Sequence, residues 1–417
     1  MKFYEMTAAQ RLAQLVEEDA MTAETAAIFA GSGALSPDVA ASLSENQLGQ
    51  FSLPLGVARQ VPVAGRLVNV PMVTEEPSVV AAASNGARLL RAGAGVQVVL
   101  APHTVRAEVV FDGLPDLPAA QALVKANEAL FKQVADAAHP SAVQRGGGLK
   151  AQTVAVIADR FLKIGLIIAP GQAMGANLAN TIAEAVGQAA GELLNSRPLT
   201  AILTNRDEAI GRATVAVPLG VLATGTRTGA EVAAGIAALS ALAVVDEDRA
   251  VTHNKGILNG IEAAVLATGN DTRAVAAAIY AHAGATGRMS PLATWRQTAT
   301  ELLGSIALPL PVGILGGAIR SLPVAQASLA LGGFTTVADL QGALLALGLA
   351  QNLAALRAQV GPGLQAGHMK LQARNLAISV GATGKEIGQL AVALSAGAMS
   401  EAAAQTLLDR MRKEQQS

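Results

Sequence analysis

Apolar positions along the chain recur mostly at helical spacing, broken by a few short stretches that alternate or run apolar in the manner of strands. MKFYEMTAAQRLAQLVEED reads as an amphipathic helix beginning near Thr7, whose hydroxyl can cap the first turn. The first 60 residues continue helical, punctuated by Gly31, Gly33 and the Gly49–Gly56 region. VPVAGRLVNVPMV (Val61–Val73) predicts two strands around Ala64–Gly65, and a helix over 78–92 follows. Pro77 suits the first turn of that helix and Gly93 a stop after it.

From Val96 the rhythm changes. Val96–Phe111 is rich in β-branched residues with a break near Pro102, and Leu117–Ala138 is helical. Gln152–Ala158 and Phe161–Ala169 predict a hairpin, Ala173–Leu194 a helix and Thr200–Thr204 a strand. The order β-α-β-β-α-β is that of a ferredoxin-like unit, here inserted between flanks that mix helix and strand. Beyond it the pattern predicts a strand at Ala213–Val217, a helix over Ala230–Val245 and helices on either side of Thr268–Asp271. Strands follow near Trp295 and over Leu302–Leu310, then a nearly all-helical tail from about Leu322 to Arg412, broken at Gly332–Gly333, Gly361–Gly363 and Gly381. The fold class expected is α/β (α+β), a large mixed domain with a βαββαβ insertion.

Composition narrows the chemistry. The 417 residues predict two or three domains, and 30 basic against 31 acidic residues argue against a nucleic-acid partner, which needs a basic surplus. With no cysteine, disulfides, thiolate metal sites and Cys nucleophiles are excluded. The apolar fraction of 51% raises a membrane question. The best apolar stretch, Val232–Val245, is short of the roughly 20 residues a spanning helix needs and runs into Asp246–Arg249. No signal peptide is evident, so the expectation is a soluble cytoplasmic protein with no membrane partner.

Several templates fail. No G-x-G-x-x-G follows a strand, Ser379 stands where a P-loop's first glycine belongs before GATGKE, and no G-x-S-x-G elbow occurs. The histidines at 103, 139, 253, 282 and 368 never fall at i, i+4, so no metal site is expected. Four segments set polar residues among apolar ones: TEEPSVVAAAS, DRAVTHNKGILNGI, TGNDTRAV and GLQAGHMKLQARN. Each has a plain structural explanation. Glu75 and Glu76 favour a helix N-terminus, Asn254 and Asn270 or Asp271 cap helices, and His368 packs. A capped helix start does not explain Lys255 among small residues.

In order and spacing these segments resemble the bacterial, class II, 3-hydroxy-3-methylglutaryl-CoA reductase family. ENQLGQFSLPLGVA (Glu45–Ala58), EEPSVVAAAS, AMGANLANTIAEA (Ala173–Ala185), THNKGILNGI, ATGND, LPVGILGGA (Leu310–Ala318), GLAQNLAALRA and GHMKLQARN carry the likeness, which covers nearly the whole chain. It implies reduction of an acyl-CoA to a primary alcohol and free CoA with two NAD(P)H and no metal. Lys255 would stabilise the oxyanion, Asp271 would hold that lysine, Glu76 would donate a proton, and His368 would protonate the departing thiolate. Ser78, Arg249 and Asn259 fall where the family binds the acid end of the substrate.

For the dinucleotide, the resemblance points to Gln172, Met174, Gly175 and Asn177 at the start of a helix, with Gln172 where the family carries aspartate. Counting back from Gly146–Gly148 puts His139 at the ribose-reading position. With Arg145 nearby, its charge leans toward NADPH over NADH. The implied layout is a large catalytic domain (1–101 and 208–363), a small dinucleotide-binding domain (102–207) and a helical flap (364–417), with the site formed between subunits of a homodimer or larger oligomer. Gly361-Pro362-Gly363 reads equally as a flap hinge or an ordinary loop. Biosynthetic reduction of hydroxymethylglutaryl-CoA to mevalonate leads. The alternatives are mevalonate oxidation with NAD+ and a non-catalytic thioester-binding paralogue suggested by Gln172.

Overall fold

The computed structural model describes residues 2–31, 33–361, 364–395, 397 and 399–414, with backbone only over 364–371. At the N-terminus, α1 (Ala8–Glu17) starts at Thr7, which exchanges bonds with Gln10 in a capping box. With α2 (Ala23–Ala30) and α3 (Pro37–Leu43) it forms a small helical lead. The hairpin of β1 (Leu55–Val63) and β2 (Arg66–Val73) turns at Ala64–Gly65 as its sequence requires. β1 begins six residues before the expected strand, because a bulge between Ala58 and Val61 re-registers an N-terminal half that lacks clean alternation. α4 (Val79–Leu90) then packs its apolar face inward.

β3 (Gln97–Val99) and β4 (Val105–Asp112) lie either side of Pro102 but belong to different sheets, so the break is where the chain leaves the large core. The expected 117–138 helix is two, α5 (Leu117–Ala126) and α6 (Glu128–Ala138), parted at Asn127, and α7 (Pro140–Gln144) follows. β5 (Gly148–Ile157), β6 (Phe161–Ala169), α8 (Ala176–Leu194) and β7 (Thr200–Thr204) complete an antiparallel sheet in the order β5-β6-β4-β7. That is the ferredoxin-like arrangement, and it has its own core around Phe111, Phe131, Ile164 and Ile182.

The chain returns along β8 (Ile210–Pro218) into α9 (Gly229–Val245), α10 (Glu247–Ala267) and α11 (Thr272–Ala283). β9 (Ala293–Gln297) and β10 (Glu301–Pro309) close a second sheet, β3-β8-β10-β9. α12 (Pro323–Gly332) precedes α13 (Val337–Val360), the helix around which the large core is built. α13 is long and apolar enough to cross a membrane but is mostly buried by α4, α9, α10 and the sheets. Its neighbours approach closely: a Cβ on Gly86 would strike the Ala350 carbonyl, and Gly348 faces Ile257 and Ile261. The high Ala and Gly content therefore serves helix contact within the fold. α14 (Leu364–Ser379), α15 (Lys385–Ser395) and α16 (Glu401–Glu414) form a separate cluster around Leu390, Leu394 and Leu408.

Candidate active site

β2 ends at Val73, opposite the first residue of β1, and Pro77 lies two residues before α4, outside its first turn, where it holds Glu76 out of helical space. Thr74 Oγ1 accepts the Glu76 amide at 3.1 Å, and Ser78 turns left-handed at φ +73° directly before α4. This tight turn presents Glu76 to α10, where Lys255 Nζ donates to Glu76 Oε2 at 2.9 Å. Both side chains stay open to solvent, 57% for the lysine and 44% for the glutamate, so the pair lies on an exposed face of this chain.

The lysine is held there by amides on other faces of α10. That helix is capped by Asp246, not Asn254, because DEDRAV carries no breaker and continues the turn pattern. Asn254 is instead fully buried: it donates to Ser290 O and accepts the Leu292 amide, both at 2.9 Å. Asn352 of α13 donates to His253 O at 3.4 Å and accepts the Trp295 indole N–H at 2.7 Å. These contacts fix the rotation of α10 and so the direction of Lys255.

At about 100° per residue, Lys255, Asn259 and Glu262 share one row, while Arg249 and His253 lie in another about 120° away. Burial raises the Glu262 pKa and Lys255 opposes the shift. Arg249 Nε and Nη2 are shielded from water and have no hydrogen-bond partner among the described residues. Such a fork suits a carboxylate. One turn on, His253 is 1% exposed, and burial first, then Arg249, push its pKa down to about 4. Its ring lies by the Ala293 backbone with neither nitrogen in a well-formed hydrogen bond, so it stays neutral beside the arginine.

Asp271 stands apart from the Lys255–Glu76 pair. Its Oδ1 caps α11 through the amides of Arg273 and Ala274 at 2.9 and 3.1 Å, and Oδ2 meets Arg273 Nη2 at 3.2 Å. Between Lys255 and the end of α10 lie twelve residues, about 18 Å of helix rise. Within one chain the aspartate is thus a helix length from the lysine. His368 falls on α14, and its side chain, like Pro362 and Gly363, lies outside the described residues.

At the small sheet, α8 opens at Gly175 and not at Ala173, since Gly175 is left-handed at φ +103° and stops the helix from extending backward. A Cβ there would meet Pro170 Cβ at 2.5 Å, so only glycine fits. Gly175 has no side chain with which to cap α8. First-turn amides free of a cap, at the positive end of a helix, suit a pyrophosphate, and in this respect the residues present fit a dinucleotide. Met174 is half-buried and Asn177 exposed. Gln172 Oε1 accepts the Val337 amide at 2.7 Å, so its side chain is engaged with α13. His139 lies half-buried between α6 and α7, its Nδ1 3.3 Å from Ser141 Oγ, with Gly146 and Gly148 left-handed just beyond.

Sequence reasoning assigns no role to His103, Glu262 or Asn352, and offers Asn270 only as an alternative helix cap. His103 Nε2 is 2.9 Å from Ala173 O, and burial lowers its pKa, so the neutral ring donates. The motif ATGND contains the signal for Asn270, but its partners come from distant segments.

A family model described as Hydroxymethylglutaryl-coenzyme A reductase matches residues 7–373. The 3-hydroxy-3-methylglutaryl-coenzyme A reductase of Archaeoglobus fulgidus is 36% identical over 416 residues, 98% of this chain and 94% of that one. A probable reductase of the same name from Borreliella burgdorferi is 31% identical over 80% of this chain and 77% of its own. Among solved structures, the Streptococcus pneumoniae reductase superposes with a TM-score of 0.83 at 35% identity, covering 98% of this chain and 99% of that one. The class II enzyme from the same organism, bound to NADPH in open conformations, matches at 0.82 and 36%, covering 98% and 100%.

Proposed function

The chain belongs to the hydroxymethylglutaryl-CoA reductase family and is an NAD(P)H-dependent oxidoreductase; from that premise we propose that it works reductively in the cytoplasm, converting 3-hydroxy-3-methylglutaryl-CoA to mevalonate and CoA for isoprenoid synthesis. The observation that carries the site reading is the 2.9 Å Lys255–Glu76 pair on the helix that also bears the unpartnered Arg249 fork. Arg249, with Ser78 and Asn259, takes the substrate's carboxylate. The bound nicotinamide supplies a hydride in each of two turns.

Lys255 places its cation where the thioester oxygen becomes an oxyanion, and a fixed charge of this kind typically contributes the largest single share of rate. As the tetrahedral centre collapses, the C–S bond breaks and His368 gives the thiolate its proton. At the aldehyde step Glu76 gives a proton to the alkoxide oxygen, leaving the alcohol. The hydrogen bond that Lys255 donates to Glu76 Oε2 holds the carboxyl group within reach of the same oxygen, and its protonated form is the one that donates. Gln172, Met174, Gly175 and Asn177 form the cofactor turn, and His139 with Arg145 favours NADPH, in line with the NADPH-bound relative.

Residues 102–207 act as the dinucleotide domain, 1–101 with 208–363 as the catalytic domain, and 364–417 as a flap that delivers His368. The working unit is a homodimer. The solvent-open Lys255–Glu76 pair, the fully exposed Leu48 and Phe51 in the ENQLGQF segment, and the helix length between Lys255 and Asp271 all support a second copy covering this face. The aspartate that tunes each lysine then comes from the partner subunit. The test follows reduced-nicotinamide absorbance with hydroxymethylglutaryl-CoA and either cofactor. Two cofactors consumed per CoA released is the expected result, and no turnover with either would overturn it. Turnover confined to mevalonate, CoA and NAD+ would assign the oxidative direction instead.

A further inference from the structure

Between the turn that carries Asp271 and the turn that opens α8 runs one irregular segment, residues 310–316, which has no part in the reaction steps above. Asn270 grips it from the aspartate side. Its Nδ2 donates to Gly313 O at 3.0 Å, and its Oδ1 accepts the Gly313 amide at 2.7 Å. The next residues pair with the dinucleotide turn: Ile314 N–H donates to Gln172 O at 2.9 Å, and Leu315 bridges Ala173 in parallel. A Cβ on Gly313 would collide with Met174 N and come within 2.7 Å of the Ala173 carbonyl carbon, so the two backbones touch as closely as glycine allows. On the far side the Gln172 side chain is latched to the first amide of α13, and His103 holds the Ala173 carbonyl.

We propose that residues 313–315 are a strut that sets the spacing between the Asp271 turn and the dinucleotide turn, with Asn270 and Gln172 as the positioning residues at its two ends. The proposal rests on reading Gln172–Asn177 as the cofactor turn. Hydride transfer is sensitive to displacements of an ångström, and side-chain amides that clamp backbone on both sides remove the freedom to drift. It also gives the glutamine at 172 a role that needs no charge: a neutral carbonyl oxygen reaching the Val337 amide.

The experiment compares Asn270→Ala, Gln172→Ala and the double variant in the whole enzyme. Cofactor and thioester are varied separately, and NADPH binding without thioester is followed by fluorescence titration. Asn270→Ala, a residue with no place in the cofactor turn, is expected to raise the cofactor KM five- to tenfold with the thioester KM changed less than twofold. The double variant is expected to be within threefold of the worse single, because Asn270 holds the strut and Gln172 anchors the turn that pairs with it, so either loss loosens one continuous linkage. A wild-type cofactor KM in Asn270→Ala, or losses that multiply in the double, would overturn the proposal. If Asn270→Ala does not fold, Asn270→Ser takes its place, with the same expected and overturning results. Failure of the underlying reading looks different: the unaltered enzyme would then bind neither NADPH nor NADH, which overturns both.

Discussion

The indole N–H of Trp295 donates to Asn352 Oδ1 at 2.7 Å, joining β9 to α13 with both groups out of water. The same asparagine holds the His253 carbonyl, so one side chain ties the central helix to the helix of the reactive lysine. Replacing Asn352 with leucine leaves a buried indole donor unpaired, a penalty of about 1–3 kcal/mol. Because Trp295 is the one tryptophan in the chain, denaturant unfolding followed by its fluorescence reads this directly. An unchanged midpoint would show that the bond contributes nothing.

Lys255→Ala is expected to lower turnover by roughly 10²–10³-fold, the usual cost of removing one oxyanion donor, while hydroxymethylglutaryl-CoA still binds through groups remote from the thioester. Calorimetric binding beside steady-state rates separates the two effects. Turnover within tenfold of wild type would remove the lysine from its assigned role.

Complementation tests the contribution of Asp271 from a second copy. Lys255→Ala and Asp271→Asn are each expected to be inactive alone. When unfolded and refolded together, heterodimers contain one site with both residues intact, and activity returns to about a quarter of wild type if the chains pair at random. Lysine and aspartate from the same chain would leave the mixture inactive.

Acid stability carries a signature of His253. Its folded pKa of about 4 lies below the ordinary value of 6.5, so between those values the unfolded state binds more protons and stability falls as pH drops. The loss is on the order of 3 kcal/mol and is complete below about pH 4. Burial pushes Asp207 the other way, up to about 6 from 3.8, so its contribution is present below pH 3.8 and lost as pH rises through 6. The two contributions oppose each other and nearly cancel between about pH 4 and 6, so His253→Gln should leave stability falling as pH rises across that range, and Asp207→Asn should leave it rising. Unfolding curves across that range measure both, and parallel profiles for all three proteins would contradict the assignment.

Gly175→Ala places a Cβ against Pro170 at a left-handed position, a strain of about 1–2 kcal/mol before any clash. The cofactor KM is expected to rise at least tenfold with the thioester KM nearly unchanged. Equal effects on both substrates would point to general unfolding.

Local chemistry and short-range pattern were enough to read most elements. Thr7 capping α1, the Ala64–Gly65 hairpin, the βαββαβ order and the helical tail all follow from contacts within a few residues, which a linear sequence displays. Glu76, Lys255, Asp271 and His368 stand out only through the likeness of their motifs to a known family, since taken singly all but Lys255 have a plain local explanation. Tertiary structure decided what depends on distance through space. It moved the start of α10 from Asn254 to Asp246 and turned Asn254 into a buried clamp; it set Asp271 a helix length from Lys255; and it joined Asn270, Gly313, Gln172 and Val337 across the chain. Hydrogen bonds between residues far apart in the chain leave no periodicity, because each partner satisfies its local pattern without the other. Only the folded arrangement shows which backbone amides those side chains were placed to hold.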